Sequence, residues 1–163
     1  MTFLRFIRLL SLTLWTGSIF FFAAVEAPIL FAVLPTHALA GLVVGRSLST
    51  LHWIGLGCGL IFLLTCVLMA MLQGGAPLFH TRDILLFAMM GITLYLHFGL
   101  ERRMLKLRDS IGVIDNVPVT DARRVEFNRM HEWSTKLEGS VFFLGLGLLY
   151  LVVREQETSP RRY

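Results

Sequence analysis

The sequence predicts an all-α fold, an integral membrane four-helix bundle, on two observations. Hydrophobic residues make up 55% of the 163 residues and charged residues 16%, whereas soluble domains are about 45–50% apolar and about 25% charged. Long stretches without charge also recur along the chain, and about 20 apolar residues suffice for a helix to cross a bilayer. One membrane domain over residues 1–163 follows from this length and composition. The same composition argues against a nucleic-acid-binding module, despite the net charge of +4.

Four stretches are long and apolar enough to be membrane spans. They are residues 9–34, 47–72, 84–100 and 137–153. The fourth is the shortest, and we include it because Leu137 and Glu138 extend its helix toward the preceding loop. The first begins like a signal peptide, but its apolar run is longer than a typical signal and we expect it to remain as a span.

The segments between the spans carry turn and helix signals. Pro35 ends the first helix, because proline cannot continue one and restrains the residue before it. Residues 73–77 form a Gly and Pro turn cluster, and residues 111–120 form an irregular loop. Helices of spans 3 and 4 continue over residues 101–136 as a hairpin that projects from the bilayer. Asp121 is the expected N-cap of its second arm.

The distribution of positive charge suggests an orientation. Four spans place both termini and loop 2 on one side and loops 1 and 3 on the other. The side of loops 1 and 3 carries nine Lys and Arg residues, against six on the terminal side. The positive-inside rule then places loops 1 and 3 in the cytoplasm, in a membrane of the bacterial inner-membrane type.

Ionisable side chains at membrane depth are the candidate functional residues. Following the direction of each span places all of them near the loop 1 and loop 3 face; they are Glu26, His52, His97, His131 and Glu138. Such groups are costly in hydrocarbon and usually face a bundle interior or a wet cavity. The opposite half of the bundle is expected to hold almost nothing ionisable. Each residue also has a structural alternative, as a protonated, hydrogen-bonded or interfacial side chain.

Imidazoles on facing helices can ligate heme iron or a transition metal. We therefore expect a cofactor site formed by Glu26, His52, His97 and His131, with His52 and His131 as the metal-ligand candidates. The chain has no C-x-x-C-H attachment motif, so any heme is non-covalent. A proton relay through the same groups is an alternative. The sequence contains no P-loop, H-E-x-x-H or nucleophile-elbow motif, and the catalytic residues are unknown.

Small residues recur at spacings that favour close helix packing. Gly55 and Gly59 are separated by one turn of span 2, and Gly145 and Gly147 lie in span 4. Such residues let backbones approach closely in lipid. They predict packing within the bundle, or alternatively a homo-oligomer or a membrane-protein partner docked on the glycine-rich faces.

Several short motifs resemble one family of small four-helix membrane proteins. They are Leu14-Trp15-Thr16-Gly17, Ala27-Pro28, Phe31, Leu34-Pro35, Ala40-Gly41, His52, Leu100-Glu101-Arg102-Arg103 and Phe127-Asn128-Arg129-Met130-His131. Over most of its length the chain resembles the transmembrane-protein-205-like family, a domain of unknown function. That family is distantly similar to copper-resistance D-type proteins and to small membrane protoporphyrinogen oxidases. The resemblance implies a four-helix bundle with heme or metal handling. It favours His52 and His131 over His97, where related sequences often carry Asn.

Three functions remain open at this point. The first is a heme- or metal-associated membrane protein with its polar site near one membrane face. The second is a non-catalytic accessory subunit of a larger membrane complex, bound through the glycine-rich faces and the projecting hairpin. The third is a small proton- or ion-conducting unit. In each case the lipid bilayer is the immediate partner.

Overall fold

Four long helical rods lie side by side and form the bundle. The structure is a computed structural model that describes residues 1–74, 81–112, 117, 118 and 120–158, with side chains described as far as residue 155. Each rod is long and apolar enough to cross a membrane; the rods are Thr2–Val33, His37–Leu72, Thr81–Ile111 and Ala122–Glu155. No strand occurs within the described ranges. The predicted all-α four-helix membrane bundle is confirmed.

The first rod contains a π-helical segment beside a proline. It consists of α1 (Thr2–Phe21), a π segment that we call π1 (Phe22–Glu26), and α2 (Ala27–Val33). Pro28 has no amide hydrogen to donate to the carbonyl four residues earlier. The helix widens just before this point, where the Ala27 amide donates to the Phe22 carbonyl. The chain therefore passes the proline without breaking the rod.

The second rod begins earlier than the predicted span. Helix α3 covers His37–Leu72, ten residues more at its start than the expected boundary at 47. The Thr36 hydroxyl accepts the Leu39 amide at 3.1 Å and caps this helix, while Leu34–Thr36 make the turn after α2. The difference arises because an apolar run marks the part of a helix that lies in lipid, whereas the helix itself continues beyond it.

The third and fourth rods form a helical hairpin, and its projection from the bilayer stays a prediction. The third consists of α4 (Thr81–Leu94), a second π segment called π2 (Tyr95–Glu101), and α5 (Arg102–Ile111). The fourth is the single helix α6 (Ala122–Thr158), whose first turns pack against α5. Asp121 caps α6 as predicted, with its carboxylate accepting the Arg123 amide at 2.8 Å.

The packing order places every rod against two neighbours. α1 packs on α3 and α6, and α4 packs on α3 and α6, which closes the four rods into a ring. The centre is filled by buried apolar side chains from all four rods: Leu12, Trp15, Phe62, Leu86, Met89, Val141 and Leu148. Large apolar side chains also cover the outside, as expected for a surface that faces lipid; examples are Phe3, Phe20, Leu64, Ile84 and Phe143.

Parts of three predicted connections lie outside the described residues. They are 75–77 in the turn after span 2, 113–116 and 119 in the loop after α5, and 159–163 in the polar tail. Within the described part of the first connection, Gly74 has a φ of +68°, a backbone conformation that glycine adopts readily.

Candidate functional site

A histidine at the centre of the bundle anchors the candidate site. His52 lies on α3 with only 2% of its surface exposed. Its Nε2 is 3.2 Å from a carboxylate oxygen of Glu138, a buried residue of α6. Because a carboxylate can only accept, Nε2 is the donor in this hydrogen bond, unless Glu138 is protonated. With that tautomer, a neutral His52 presents the lone pair of Nδ1 on the other side of its ring.

The second part of the site comes from the π segment of the third rod. His97 and Glu101 lie on π2, and His97 Nδ1 is 3.0 Å from Glu101 Oε2. The same carboxylate oxygen is 3.7 Å from His52 Nδ1. π-helical insertions frequently mark functional sites, because the extra residue changes which side chains face inward. Here the segment directs an imidazole and a carboxylate toward one histidine on the neighbouring rod.

Aromatic rings enclose the imidazole of His97. The rings of His52 and His97 meet edge to face at 5.8 Å between centroids. Trp53 and Phe98 lie against His97 at centroid distances of 5.0 and 4.6 Å. These rings restrict the movement of His97 and shield it from the outside of the bundle.

Three buried polar atoms converge at the centre of this cluster without a hydrogen-bond partner. They are His52 Nδ1, His97 Nδ1 and Glu101 Oε2. His97 Nδ1 and Glu101 Oε2 are 3.0 Å apart without the geometry of a hydrogen bond, and His52 Nδ1 at 3.7 Å is too far from Glu101 Oε2 for one. Ligand atoms of these three residues lie within 4.8 Å of one another, close enough to surround one metal ion. Imidazole lone pairs that face a carboxylate repel it unless a proton or another cation lies between them.

A tryptophan from the first rod packs near this cluster. A Cβ at Gly55, one turn beyond His52, would lie 2.3 Å from Trp15 Nε1, and a Cβ at Gly59 would lie 3.1 Å from the same ring. The predicted Gly55 and Gly59 face is therefore occupied by Trp15 of the same chain. Gly145 is likewise covered, by Thr16. These contacts support the prediction of packing within the bundle.

The structure brings together some of the predicted site residues and separates others. His52 and His97 meet, with Glu101 and Glu138 completing the cluster. His131 is exposed on α6, about 10 Å along the helix from Glu138 at the usual rise per residue. Glu26 lies on the outer side of the first rod, in a groove against α3. A cluster of His52 with Glu26 and His131 is therefore not observed, and His97 takes the place expected for His131.

Sequence reasoning undervalued the two carboxylates. The i,i+4 spacing of His97 and Glu101 was a usable signal, since such residues are neighbours on a helix. Glu138 lies at the start of the apolar part of α6, as predicted, but the residue that it contacts is 86 positions away. That contact follows from the rotation of α6 against α3, which periodicity alone does not determine.

The opposite end of the bundle holds charged groups that the sequence did not predict to be buried. Arg8 of α1 is 4% exposed, and its Nη1 lies 4.0 Å from Glu155 of α6. Arg82 of α4 contacts the same Glu155 oxygen at 2.5 Å. The expectation that this half holds almost nothing ionisable is wrong. Glu155, at the centre of this ion network, lies about 25 Å along α6 from Glu138.

Comparison with known proteins identifies one family. A family model described as "Domain of unknown function (DUF4149)" matches residues 10–112, which include His52, His97 and Glu101 but not Glu138. No curated protein and no solved structure matches the chain. The narrower resemblance to transmembrane-protein-205-like and copper-resistance D-type proteins stays a prediction.

Proposed function

The chain belongs to the DUF4149 family, and we propose that this member binds a divalent transition-metal ion between His52, His97 and Glu101 inside its membrane bundle. The observation that carries the proposal is the convergence of three buried ligand atoms that lack hydrogen-bond partners. A cation at their centre would satisfy all three at once. It would also neutralise the Glu101 carboxylate between the two imidazole rings.

The geometry is compatible with an ion of ordinary size. Metal–nitrogen and metal–oxygen bonds of about 2.1 Å in a tetrahedral site hold neighbouring ligand atoms roughly 3.4 Å apart. The distances from Glu101 Oε2 to His97 Nδ1 and His52 Nδ1, 3.0 and 3.7 Å, lie on either side of this value. Small side-chain movements are enough to complete the site.

Glu138 has the role of a positioning residue. Its carboxylate accepts a hydrogen bond from His52 Nε2 and leaves Nδ1 free toward the proposed ion. Carboxylate–histidine–metal arrangements of this kind fix the tautomer and the ring orientation of the ligand. The donor set of two imidazoles and one carboxylate suits zinc, iron, manganese, cobalt or copper(II) better than copper(I), which prefers sulfur.

The same geometry argues against the heme alternative. A heme between His52 and His97 needs a flat slot across the bundle that separates the two imidazoles. These rings instead meet edge to face and share the Glu101 carboxylate. Trp53 and Phe98 occupy the space around His97. The proposal is therefore a bare ion, near the membrane face that the Lys and Arg distribution predicts to be cytoplasmic.

Metal titration of the purified protein tests the proposal. The chain is extracted in mild detergent, stripped with a chelator, and titrated with Zn²⁺ and with Co²⁺, whose absorption reports coordination. We expect one ion per chain in the wild type and loss of high-affinity binding in His52→Ala and Glu101→Gln. His131→Ala is the matched control, since His131 is exposed on α6 and should bind as the wild type does.

Two results would overturn the metal site. One is a folded wild-type protein that takes up no ion; the other is equal binding by the His52→Ala and His131→Ala variants. Circular dichroism and size-exclusion profiles establish that each variant is folded. If the site fails this test, the cluster is an internal proton-linked network, and the accessory-subunit function becomes the leading account, with the projecting hairpin as its contact surface.

A further inference from the structure

A groove on the outside of the bundle lies apart from the metal cluster. It runs between the first rod and α3 and has a volume of about 560 Å³, within the roughly 300–1,000 Å³ typical of ligand sites. Its lining combines hydroxyl groups, one carboxylate and apolar side chains. The residues used below are Leu14, Gly17, Glu26, Ser47, Thr50 and Ile54.

One end of the groove carries a carboxylate without a partner. Glu26 is partly buried and forms no ion pair or hydrogen bond with any residue in the described ranges. It lies seven residues, or about 10 Å, before the end of the first rod at Val33, and this rod is long and apolar enough to cross a membrane. A carboxylate at such a depth is costly unless a cation or a hydrogen-bond donor meets it. The hydroxyls of Ser47 and Thr50 lie in the same groove.

A guanidinium group lies near the same end. Arg46 is exposed and precedes Thr50 by one helical turn, and the Thr50 hydroxyl donates to the Arg46 carbonyl at 3.1 Å. Residues spaced i,i+4 share a helix face, so Arg46 lies above the groove on the side of the turn after α2. Arg46 and Glu26 do not pair with each other among the described contacts. Glu26 therefore lines this end of the groove, and the exposed Arg46 lies one residue before the lining residue Ser47.

The other end of the groove is open and combines apolar side chains with the hydroxyl residues Thr13 and Ser18. Leu14 and Ile54 are about half exposed, and a Cβ added at Gly17 would meet nothing within 4 Å. The missing side chain of Gly17 leaves a shallow channel along the first rod. A hydrocarbon chain fits such a channel, since its surroundings are lipid.

From these charges we propose that the groove binds a phospholipid with a primary ammonium headgroup. The ammonium donates to Glu26 and the groove hydroxyls, the phosphate pairs with Arg46, and one acyl chain lies across Gly17. A primary ammonium fits better than a quaternary one, because only the former donates hydrogen bonds. The site is independent of the metal proposal, since none of its residues belongs to the His52 cluster.

Native mass spectrometry in detergent tests the lipid site. The protein is incubated with equal amounts of phosphatidylethanolamine, phosphatidylcholine or phosphatidylglycerol, and retained lipid is counted. We expect selective retention of phosphatidylethanolamine, reduced about tenfold by Glu26→Gln, the scale of losing one charge-assisted hydrogen bond. Gly17→Leu fills the channel and should reduce retention similarly. Gly91→Leu is the control, because Gly91 is equally open but lies on α4, away from the groove.

The remaining outcomes decide against the proposal. Equal retention of phosphatidylcholine would show that shape alone selects the lipid. Preference for phosphatidylglycerol would show that Arg46 acts without Glu26. Full retention by both the Glu26→Gln and the Gly17→Leu variant would place any bound lipid elsewhere. Zn²⁺ binding by the same variants keeps this test separate from that of the metal site, since neither residue is a proposed ligand.

Discussion

His52 on α3 and Glu138 on α6 are joined by a buried hydrogen bond of 3.2 Å, across 86 residues of sequence. This contact fixes the ring of His52 so that its other nitrogen faces His97 and Glu101 on the third rod. Three of the four rods thus contribute to one polar cluster within an apolar bundle. Such a cluster persists only where each polar group is satisfied, and the three unpartnered atoms at its centre are what the proposed ion would satisfy.

Glu138→Gln should weaken metal binding without changing its stoichiometry. The amide still accepts a hydrogen bond from His52 but no longer supplies a negative charge behind the ring. Substitutions of such supporting carboxylates typically lower metal affinity by about 10–100-fold. Competition titration of Co²⁺ measures the change. Glu132→Gln, an exposed position on the same helix, is the control. If the Glu138→Gln protein binds as tightly as the wild type, Glu138 does not position the ligand.

Gly55→Ala should destabilise the bundle. The added methyl group would lie 2.3 Å from Trp15 Nε1, and the rigid indole is itself buried in the core. Overpacking of this kind costs about 1–3 kcal/mol. Thermal unfolding in detergent gives the comparison with Gly57→Ala, where a methyl group meets nothing within 4 Å. Equal melting temperatures for the two variants would show that Trp15 can move away from Gly55.

The fold was predictable because its main determinant is composition. Lipid requires helices with saturated backbone hydrogen bonds, and the apolar runs mark them directly. The depth of His52 and His97 also follows from counting residues along each span. Their rotation does not, because π2 interrupts the 3.6-residue period between Tyr95 and Glu101 and changes which side chains face inward. The preference for His131 over His97 had another basis, the family resemblance, in which related sequences often carry Asn at position 97.

The buried charges at the other end show a second limit of sequence reasoning. Arg8 stands before an apolar run, a position typical of a residue at the membrane surface. Arg8 lies beside Glu155 of the fourth rod and over the Phe62 ring of the second, and Arg82 of the third rod contacts the same Glu155. The sequence around Arg8 does not indicate these contacts, because each of them joins residues that are far apart in the chain.

Glu155→Gln should destabilise the protein more than removal of a surface charge. Glu155 faces both Arg8 and Arg82, and its loss leaves the buried Arg8 guanidinium without this counter-charge. We expect a cost of about 1–3 kcal/mol, since Glu155 itself is partly exposed and solvent screens part of the interaction. Thermal unfolding of Glu155→Gln is compared with that of Glu132→Gln, whose only described ion pair is a surface contact with Lys136 at 4.0 Å. Adding Arg8→Met to Glu155→Gln should recover part of the lost stability, because the unpaired guanidinium is then removed. If the stability changes of the two single variants simply add in the double variant, Arg8 and Glu155 are not energetically coupled.

The first turn of α6 should become less stable in acid, because its capping residue Asp121 becomes protonated. Asp121 accepts the Arg123 amide and side chain, and the hydrogen bond to that side chain holds the pKa of Asp121 below its usual value. A lowered pKa means that the folded state favours the charged form, so this stabilisation is present above about pH 3.9, the unfolded value, and is lost as the pH falls toward the folded one. Hydrogen exchange of the first turn of α6, corrected for the intrinsic rate, should therefore speed up as the pH falls below about 4. Asp121→Asn keeps a capping oxygen but cannot titrate, and its first turn should show no such acid step. Persistence of the step in Asp121→Asn would assign it to another group.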